Sequence, residues 1–305
     1  MLNPAFTEVG IGQQVGDYLG YDSVMVTQNF ATTGGRVFLT GVAYNDNDND
    51  NFYSVGEGVQ GVRFSVGGQS GTSQQAGGYS FQYQGLGWQT VSVTGAGVSM
   101  QVRVNFGGDN VKLDLVDKNT LQSSASMTLT SGVSNGILLG LNNLNLTGNA
   151  DSNVLTGNDG NNAVWGLAGN DLIEGLDGND TLTGGVGNDT LRGGAGSDTA
   201  ILNVDSNSIQ VTQTNDGLVI TSSEGTDNYS EIEFFQFSNE LVSVANVLNG
   251  SFEAEGEKPA SSMNVVGSNA NDVLRGNTGS DTIEGLDGFD TIFAGLGDDT
   301  LNGGD

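Results

Sequence analysis

Glycine and aspartate return every nine residues through GLDGNDTLTGGVGNDTLRGGAGSDT, residues 175–199, with one apolar side chain in a fixed place in each interval. An amphipathic helix repeats its apolar residues every three or four positions and a half-buried strand every second, so a period of nine belongs to neither. A fixed period of this kind builds one small structural unit per repeat, and each unit buries its core only by stacking on its neighbours.

With Gly148 at position one, residues 148–201 divide into six units: GNADSNVLT, GNDGNNAVW, GLAGNDLIE, GLDGNDTLT, GGVGNDTLR and GGAGSDTAI. Position one is always glycine, and position four is glycine in all but the first unit, where Asp151 stands. Position six runs Asn153, Asn162, Asp171, Asp180, Asp189, Asp198, and position eight runs Leu155, Val164, Ile173, Leu182, Leu191, Ala200. The frame returns from residue 267 as GSNANDVLR, GNTGSDTIE, GLDGFDTIF and AGLGDDTLN, which puts Asp272, Asp281, Asp290 and Asp299 at position six. Leu274, Ile283, Ile292 and Leu301 take position eight there.

Glycine at positions one and four admits positive φ, so the first six residues of a unit read as a tight turn and the last three as a short strand. Two units make a coil of 18 residues, and successive coils stack as parallel strands about 4.8 Å apart over a thin apolar core. Stacking sets each position-six carboxylate against the one 18 residues later: Asp171 with Asp189, Asp180 with Asp198, Asp272 with Asp290, Asp281 with Asp299. Carboxylates that close repel unless a cation lies between them. A hard divalent ion that accepts many oxygens in flexible geometry is Ca2+, since magnesium demands a tighter octahedron. Two other readings are a disordered acidic linker and a metal-free solenoid held by asparagine ladders. The fixed apolar position argues against the first, and the eight aspartates argue against the second.

Composition narrows the function. The chain has 305 residues, a net charge of −28 from 36 acidic and 8 basic residues, no cysteine and no histidine. Such charge repels nucleic acid and anionic membranes. Without histidine there is no histidine general base, no Ser-His-Asp triad and no His-ligated zinc; without cysteine there are no disulfides or thiolate sites. No apolar run reaches the roughly 20 residues of a membrane span, and MLNPAFTEVG has neither the basic nor the apolar part of a cleavable signal.

The nonapeptides resemble the haemolysin-type calcium-binding repeat of RTX proteins, GGxGxDxUx with U a large apolar residue. The resemblance implies a right-handed parallel β-roll that folds when calcium is bound, and export by a type I secretion apparatus through an uncleaved C-terminal signal. The chain stops at GGD, three residues into a new unit, so that signal is expected to lie beyond it. Asn153 and Asn162 replace the aspartate and are expected to make the first two sites weak.

Elsewhere the sequence reads as β structure of other kinds. GGRVFLTGVAY, GVRFSVGG, GGYSFQYQG, QTVSVTG, SMQVRVNF and NVKLDLVD alternate apolar and polar residues, which predicts about six strands of a β-sandwich over 33–118. Inside it, YNDNDNDNFYSVGEG sets Asp46, Asp48, Asp50 and Glu57 at offsets one, three, five and twelve, the spacing of an EF-hand loop but with strands as flanks. This loop resembles that of the calcium-binding B-type modules of bacterial adhesins, which implies a calcium site; the alternative is a solvated acidic loop. Residues 1–32, with NPAFTEVGIG and VTQNF, resemble the last strands of a CAP-superfamily domain whose bulk would lie upstream, or form an extra hairpin. Residues 119–147 are expected to be uncharged coils capping the roll, and 202–250 an antiparallel β element. The latter resembles the segment that covers the roll end in serralysin-like proteins, through Gly225-Thr226-Asp227, Ile232-Glu233 and Gln236-Phe237; no chemistry is assigned to it. Residues 251–266 read as a linker and 267–305 as a second roll.

The fold expected is therefore all-β, a β-sandwich followed by parallel β-roll blocks. The function expected is that of a non-catalytic, calcium-binding structural and secretion module of an exported multidomain bacterial protein, extracellular in location. Alternatives are an adhesin that binds carbohydrate or protein through the sandwich, and a polysaccharide-active solenoid enzyme that uses Trp165, Phe289 or Phe293 to stack sugars.

Overall fold

Where the sequence alternates in twos the chain forms pleated strands, and where it repeats in nines it forms coils. The computed structural model describes residues 11–18, 21–28, 37–48, 53–214, 217–248, 264–266, 273–275, 281–286, 291–294 and 300–304. They belong to two compact units, Met1–Asn203 with Gln210–Phe235, and Val204–Ile209 with Gln236–Asp305.

The first unit opens with an antiparallel hairpin of β1 (Ile11–Tyr18) and β2 (Tyr21–Gln28). Then come β3 (Val37–Tyr44), β4 (Arg63–Val66), β5 (Gln69–Thr72), β6 (Gly78–Tyr83), β7 (Gly87–Gly95), β8 (Val98–Phe106) and β9 (Val111–Val116). Among these β5, QSGT, is the strand that the sequence does not announce, because it has no apolar residue to alternate; it forms by pairing antiparallel with β4. β3, β6 and β9 lie in one sheet and β4, β5, β7 and β8 in another. The two inner faces meet in a core: Phe64 of β4 stacks on Tyr79 of β6 with ring centroids 3.8 Å apart, and Leu39, Val91, Val93, Val102 and Val104 are fully buried.

Both sheets then run straight on into coils. β10 (Thr120–Ser123) and β11 (Met127–Leu129) pair antiparallel with β9 and β8, and every later coil strand is added parallel. These are β12 (Asn135–Leu138), β13 (Asn145–Thr147), β14 (Val154–Thr156), β15 (Ala163–Ala168), β16 (Leu172–Asp177), β17 (Thr181–Val186), β18 (Thr190–Ala195) and β19 (Thr199–Ile201). The register advances by 18 residues, Leu146 to Val164 to Leu182 to Ala200 on one side and Leu155 to Ile173 to Leu191 on the other. All seven side chains are fully buried, so position eight is the core of the roll. The result is a parallel β-solenoid of about 8 turns.

The coils end at β20 (Gln210–Gln213), β21 (Leu218–Thr221) and β22 (Thr226–Ser230), followed by β23 (Phe234–Gln236). β20 pairs antiparallel with β21 and β21 with β22, but β22 also lies parallel on β18, with Tyr229 over Leu191. One sheet therefore runs β6-β3-β9-β10-β12-β14-β16-β18-β22-β21-β20, and the other includes β5-β4-β7-β8-β11-β13-β15-β17-β19. In the second unit, β24 (Leu241–Ser243) precedes the short helix α1 (Val244–Leu248). β25 (Asn264–Val266) corrects the linker expected over 251–266, since its end is a strand paired parallel with β27 (Thr282–Glu284). The second block of repeats supplies β26 (Val273–Arg275), β27, β28 (Thr291–Phe293) and β29 (Thr300–Asn302), again parallel and again 18 residues apart.

Candidate metal centres

The expectation that position-one glycines supply positive φ is corrected by the backbone. Positive φ falls at positions two and four: Leu167 and Gly169, Leu176 and Gly178, Gly185 and Gly187, Gly194 and Gly196. Position one needs glycine for room instead. A Cβ on Gly166 would lie 2.3 Å from Asp171 Oδ2 and 2.6 Å from the Gly184 carbonyl oxygen, and on Gly175 2.3 Å from Asp180 Oδ2 and 2.5 Å from the Gly193 carbonyl. The position-six carboxylate thus folds back beneath position one of its own turn, beside a carbonyl of the next coil.

The carboxylates stack as the period of 18 requires. Asp171 Oδ1 accepts the backbone N–H of Asn153 at 2.7 Å, and Asp189 Oδ1 that of Asp171 at 2.8 Å. On the other side Asp180 accepts from Asn162 at 2.7 Å and Asp198 from Asp180 at 2.8 Å. Each carboxylate spends one oxygen in this way. The other oxygen, Oδ2 of Asp171, Asp180, Asp189 and Asp198, is buried without a hydrogen-bond partner. A buried acceptor left unmatched is costly. Burial raises Asp171 and Asp180 to about 6 despite the N–H bonds that pull them down, with Asp189 and Asp198 adding repulsion. Asp189 and Asp198 are raised for the same first reason, with Glu224 adding to the one and Glu233 to the other.

Both stacks continue past the repeats that the sequence displays. Asp227 Oδ1 accepts the N–H of Asp189 at 2.9 Å, and Glu233 Oε2 that of Asp198 at 2.7 Å. Asp227 is 3 % exposed and is also raised to about 6, first by burial. Ser222–Ser230 is in fact one more nonapeptide, with Gly225 at four, Asp227 at six and Tyr229 at eight, displaced from the frame by the hairpin inserted before it. Read in the frame of the preceding repeats it is invisible; read from its own Gly-x-Asp it is plain.

At the other end the turns are closed without a carboxylate. Asn153 Oδ1 accepts the N–H of Asn149 at 2.8 Å, and its amide donates to the Ser134 carbonyl at 3.1 Å. Asn162 and Asn158 repeat this, with 2.7 Å from Asn158 N–H to Asn162 Oδ1 and 2.8 Å from the Asn162 amide to Asn158 Oδ1. Asn149 and Asn158, at position two, were not singled out by the repeat. A separate asparagine ladder does run up the coils at position five, through Asn143, Asn161 and Asn179 to Ser197, and it is exposed. It coexists with the carboxylate stacks rather than replacing them.

In the loop before β4, Asp46, Asp48 and Glu57 bring one carboxylate oxygen each within 4.8 Å of one another. Glu57 is 6 % exposed, and its two oxygens accept the N–H groups of Asn47 at 2.8 Å and Ser54 at 2.7 Å, which holds the loop closed. Asp50 lies outside the described residues, as do Asp272, Asp290 and Asp299. Asp281 is 1 % exposed, and its carbonyl accepts the Thr300 N–H at 2.7 Å, so it repeats the position-six setting of the first roll.

The donor set of the carboxylate turns is all oxygen, anionic and unmatched, which is the set a hard divalent cation takes and a soft or imidazole-bound metal does not. Residues 145–173, 165–200 and 275–305 match the family described as the RTX calcium-binding nonapeptide repeat (4 copies). The chain therefore carries RTX calcium-binding nonapeptide repeats. No curated protein matches it. Among solved structures it is similar to the extracellular lipase LipA from Serratia marcescens, at 23% identity and a TM-score of 0.31, over 57% of this chain and 33% of that one. The chain thus spans about a third of the length of that structure. No helix among the described residues is long and apolar enough to cross a membrane.

Proposed function

We propose that this chain is a calcium-loaded structural module of an exported bacterial protein, without catalysis of its own. The observation that carries the reading is the row of unpartnered buried oxygens on Asp171, Asp180, Asp189 and Asp198. Asp171 with Asp189 and Asp180 with Asp198 would hold two ions between coils. Asp189 with Asp227, and Asp198 with Glu233, would hold two more. Ca2+ supplies there the charge that lets stacked carboxylates stay ionised in a buried turn. The protein's own residues do the rest: position-one glycines leave the room, the N–H groups fix one oxygen of each carboxylate, and the positive-φ turns aim the other.

Extracellular calcium modules bind at roughly 10⁻⁴ to 10⁻³ M, so the same turns would stay empty and open in the cytosol and fill outside the cell. That matches passage through a type I secretion apparatus as an unfolded chain. The cluster of Asp46, Asp48 and Glu57 favours a further cation site in the two-sheet region, independent of the roll. Calorimetric titration of the full chain tests the reading. Calcium should bind at several sites with a gain of β circular dichroism, and magnesium should produce much less of either. Equal β signal in calcium and in chelator, with no heat of binding, would overturn it.

A further inference from the structure

One face of the molecule departs from the composition of the rest. In a chain with 36 acidic residues, strands β4, β5, β7, β8, β11, β13, β15, β17 and β19 contain none. Their only charged residues are Arg63 and Arg103. The opposite sheet carries Asp114, Glu174, Asp177 and Asp227 in its strands.

On the outward side of this sheet the register lines up one continuous row, Thr90, Arg103, Thr128, Thr147 and Trp165, which ends against the buried Thr183. Trp88 stands beside it, paired with Asn105, and a second run passes through Asn145, Ala163, Thr181 and Thr199. The chain has two tryptophans, and both are here. Trp88 is 41% exposed, and Trp165 is half-buried. They stand four strand spacings apart, roughly 19 Å.

We infer that this strip binds an extended chain of uncharged sugars lying across the strands. Indole faces take the C–H faces of pyranose rings, while hydroxyls and amides of Ser, Thr and Asn side chains meet sugar hydroxyls. Charge selects among the possible occupants. The two arginines are engaged, Arg63 with the Ser70 hydroxyl at 3.0 Å and Arg103 over the Trp88 ring at 5.5 Å from its centroid. A polyanion would meet only these two cations on a chain whose net charge of −28 repels it. A basic partner is drawn to the acidic turns instead. A protein partner needs a desolvated apolar centre, and two separated indoles on a lawn of threonines do not make one.

The strip from Trp88 to Trp165 precedes the first carboxylate turn, so this inference is independent of the calcium reading and its test can fail separately. Full-length protein is passed through native gels containing starch or a soluble mixed-linkage β-glucan, and mixed with insoluble cellulose and chitin, each with calcium and with chelator. Retention by at least one of these polymers is expected in both conditions. Trp165→Ala and Trp88→Ala should each weaken it by about 3- to 10-fold, the scale of a lost ring stack. Thr147→Glu, a change at a half-buried position on the outer face rather than in the core, should abolish it. No retention by any of the four would overturn the inference. So would retention that survives all three substitutions, retention that appears only with calcium, or retention by dextran sulfate in place of the neutral polymers.

Discussion

In the turns at 148–165 the position-six side chain is an amide whose oxygen and nitrogen both find partners, while in the turns at 166–201 it is a carboxylate with one oxygen left over. The backbone differs with it. Asn149 and Asn158, at position two of the amide turns, are not at positive φ, and the N–H of each points at the position-six oxygen. Position two of the four carboxylate turns at 166–201 is at positive φ, at Leu167, Leu176, Gly185 and Gly194, and no N–H reaches Oδ2 there. One nine-residue frame therefore holds two chemistries: a turn that closes on itself and a turn that waits for an ion. The closed turns are the ones that join the two-sheet region, through β10 and β11, to the open ones. A repeat stack gains stability from each neighbour interface, so the open coils have a finished edge to assemble on.

The largest expected effect follows directly. In hydrogen exchange on the full chain with chelator, amides over 37–165 should remain protected while those over 166–235 exchange much faster, and calcium should slow the second group alone. If protection collapses from residue 119 onward when calcium is removed, the closed turns do not stand by themselves and the comparison fails.

Exchanging the two chemistries sharpens it. Asp189 lies between Asp171 and Asp227, so Asp189→Ala should strip both neighbouring sites and cost roughly 3 kcal/mol of calcium-dependent stability at saturating ion. Asn153→Asp should act oppositely. Without calcium it loses the amide bond to Ser134 and brings a second charge to Asp171, at a cost of about 1–3 kcal/mol; added calcium should recover part of that. Denaturant melts of each variant with and without the ion read both effects. Equal losses in the two conditions would show that position six acts through packing alone.

Acid should imitate calcium in the open turns only. Asp171, Asp180 and Asp227 sit at about 6 in the folded chain against an ordinary 3.8. The folded state thus binds protons more tightly than the unfolded one, so the stability these groups contribute is full below about pH 4 and is lost as the pH rises through about 6. With chelator present, the coils over 166–235 should melt higher at about pH 4 than at about pH 7, while Asn153 and Asn162 give the closed turns no such dependence. With calcium present the trend should reverse, since protons then displace the ion. A melting point that falls on acidification without calcium would contradict the desolvation that raises these groups.

How far the sequence disclosed all this depended on what kind of signal each residue gave. The period of nine fixed the coil length, the register and the stacking partners of Asp171 and Asp180, because period and burial are the same fact in a solenoid. Asp227 was hidden by the inserted hairpin, which breaks the count although not the geometry. Glu233 was hidden because the last turn is shortened and a longer side chain makes up the reach. β5 was hidden because QSGT carries no alternation. The role of position-one glycine was misread, because room and positive φ leave the same letter in the sequence and only the surroundings of Gly166 and Gly175 tell them apart.

The smallest effect isolates the backbone half of the comparison. Leu167 at φ 83° and Leu176 at φ 80° stand in a conformation that a Cβ disfavours by about 1–2 kcal/mol, where the later turns use Gly185 and Gly194. Their side chains are 49% and 40% exposed, so little packing offsets the strain. Leu167→Gly should then stabilise the calcium-loaded roll by about 0.5–1 kcal/mol, the relieved strain less the extra freedom that glycine gives the unfolded chain. Asn149→Gly, at the same position of a closed turn, should destabilise instead, because it removes the side-chain bonds to the Thr130 and Val133 carbonyls and there is no positive φ to relieve. Paired melts in calcium would settle the sign. If both substitutions moved the midpoint in the same direction, the backbone at position two would not be what separates an open turn from a closed one.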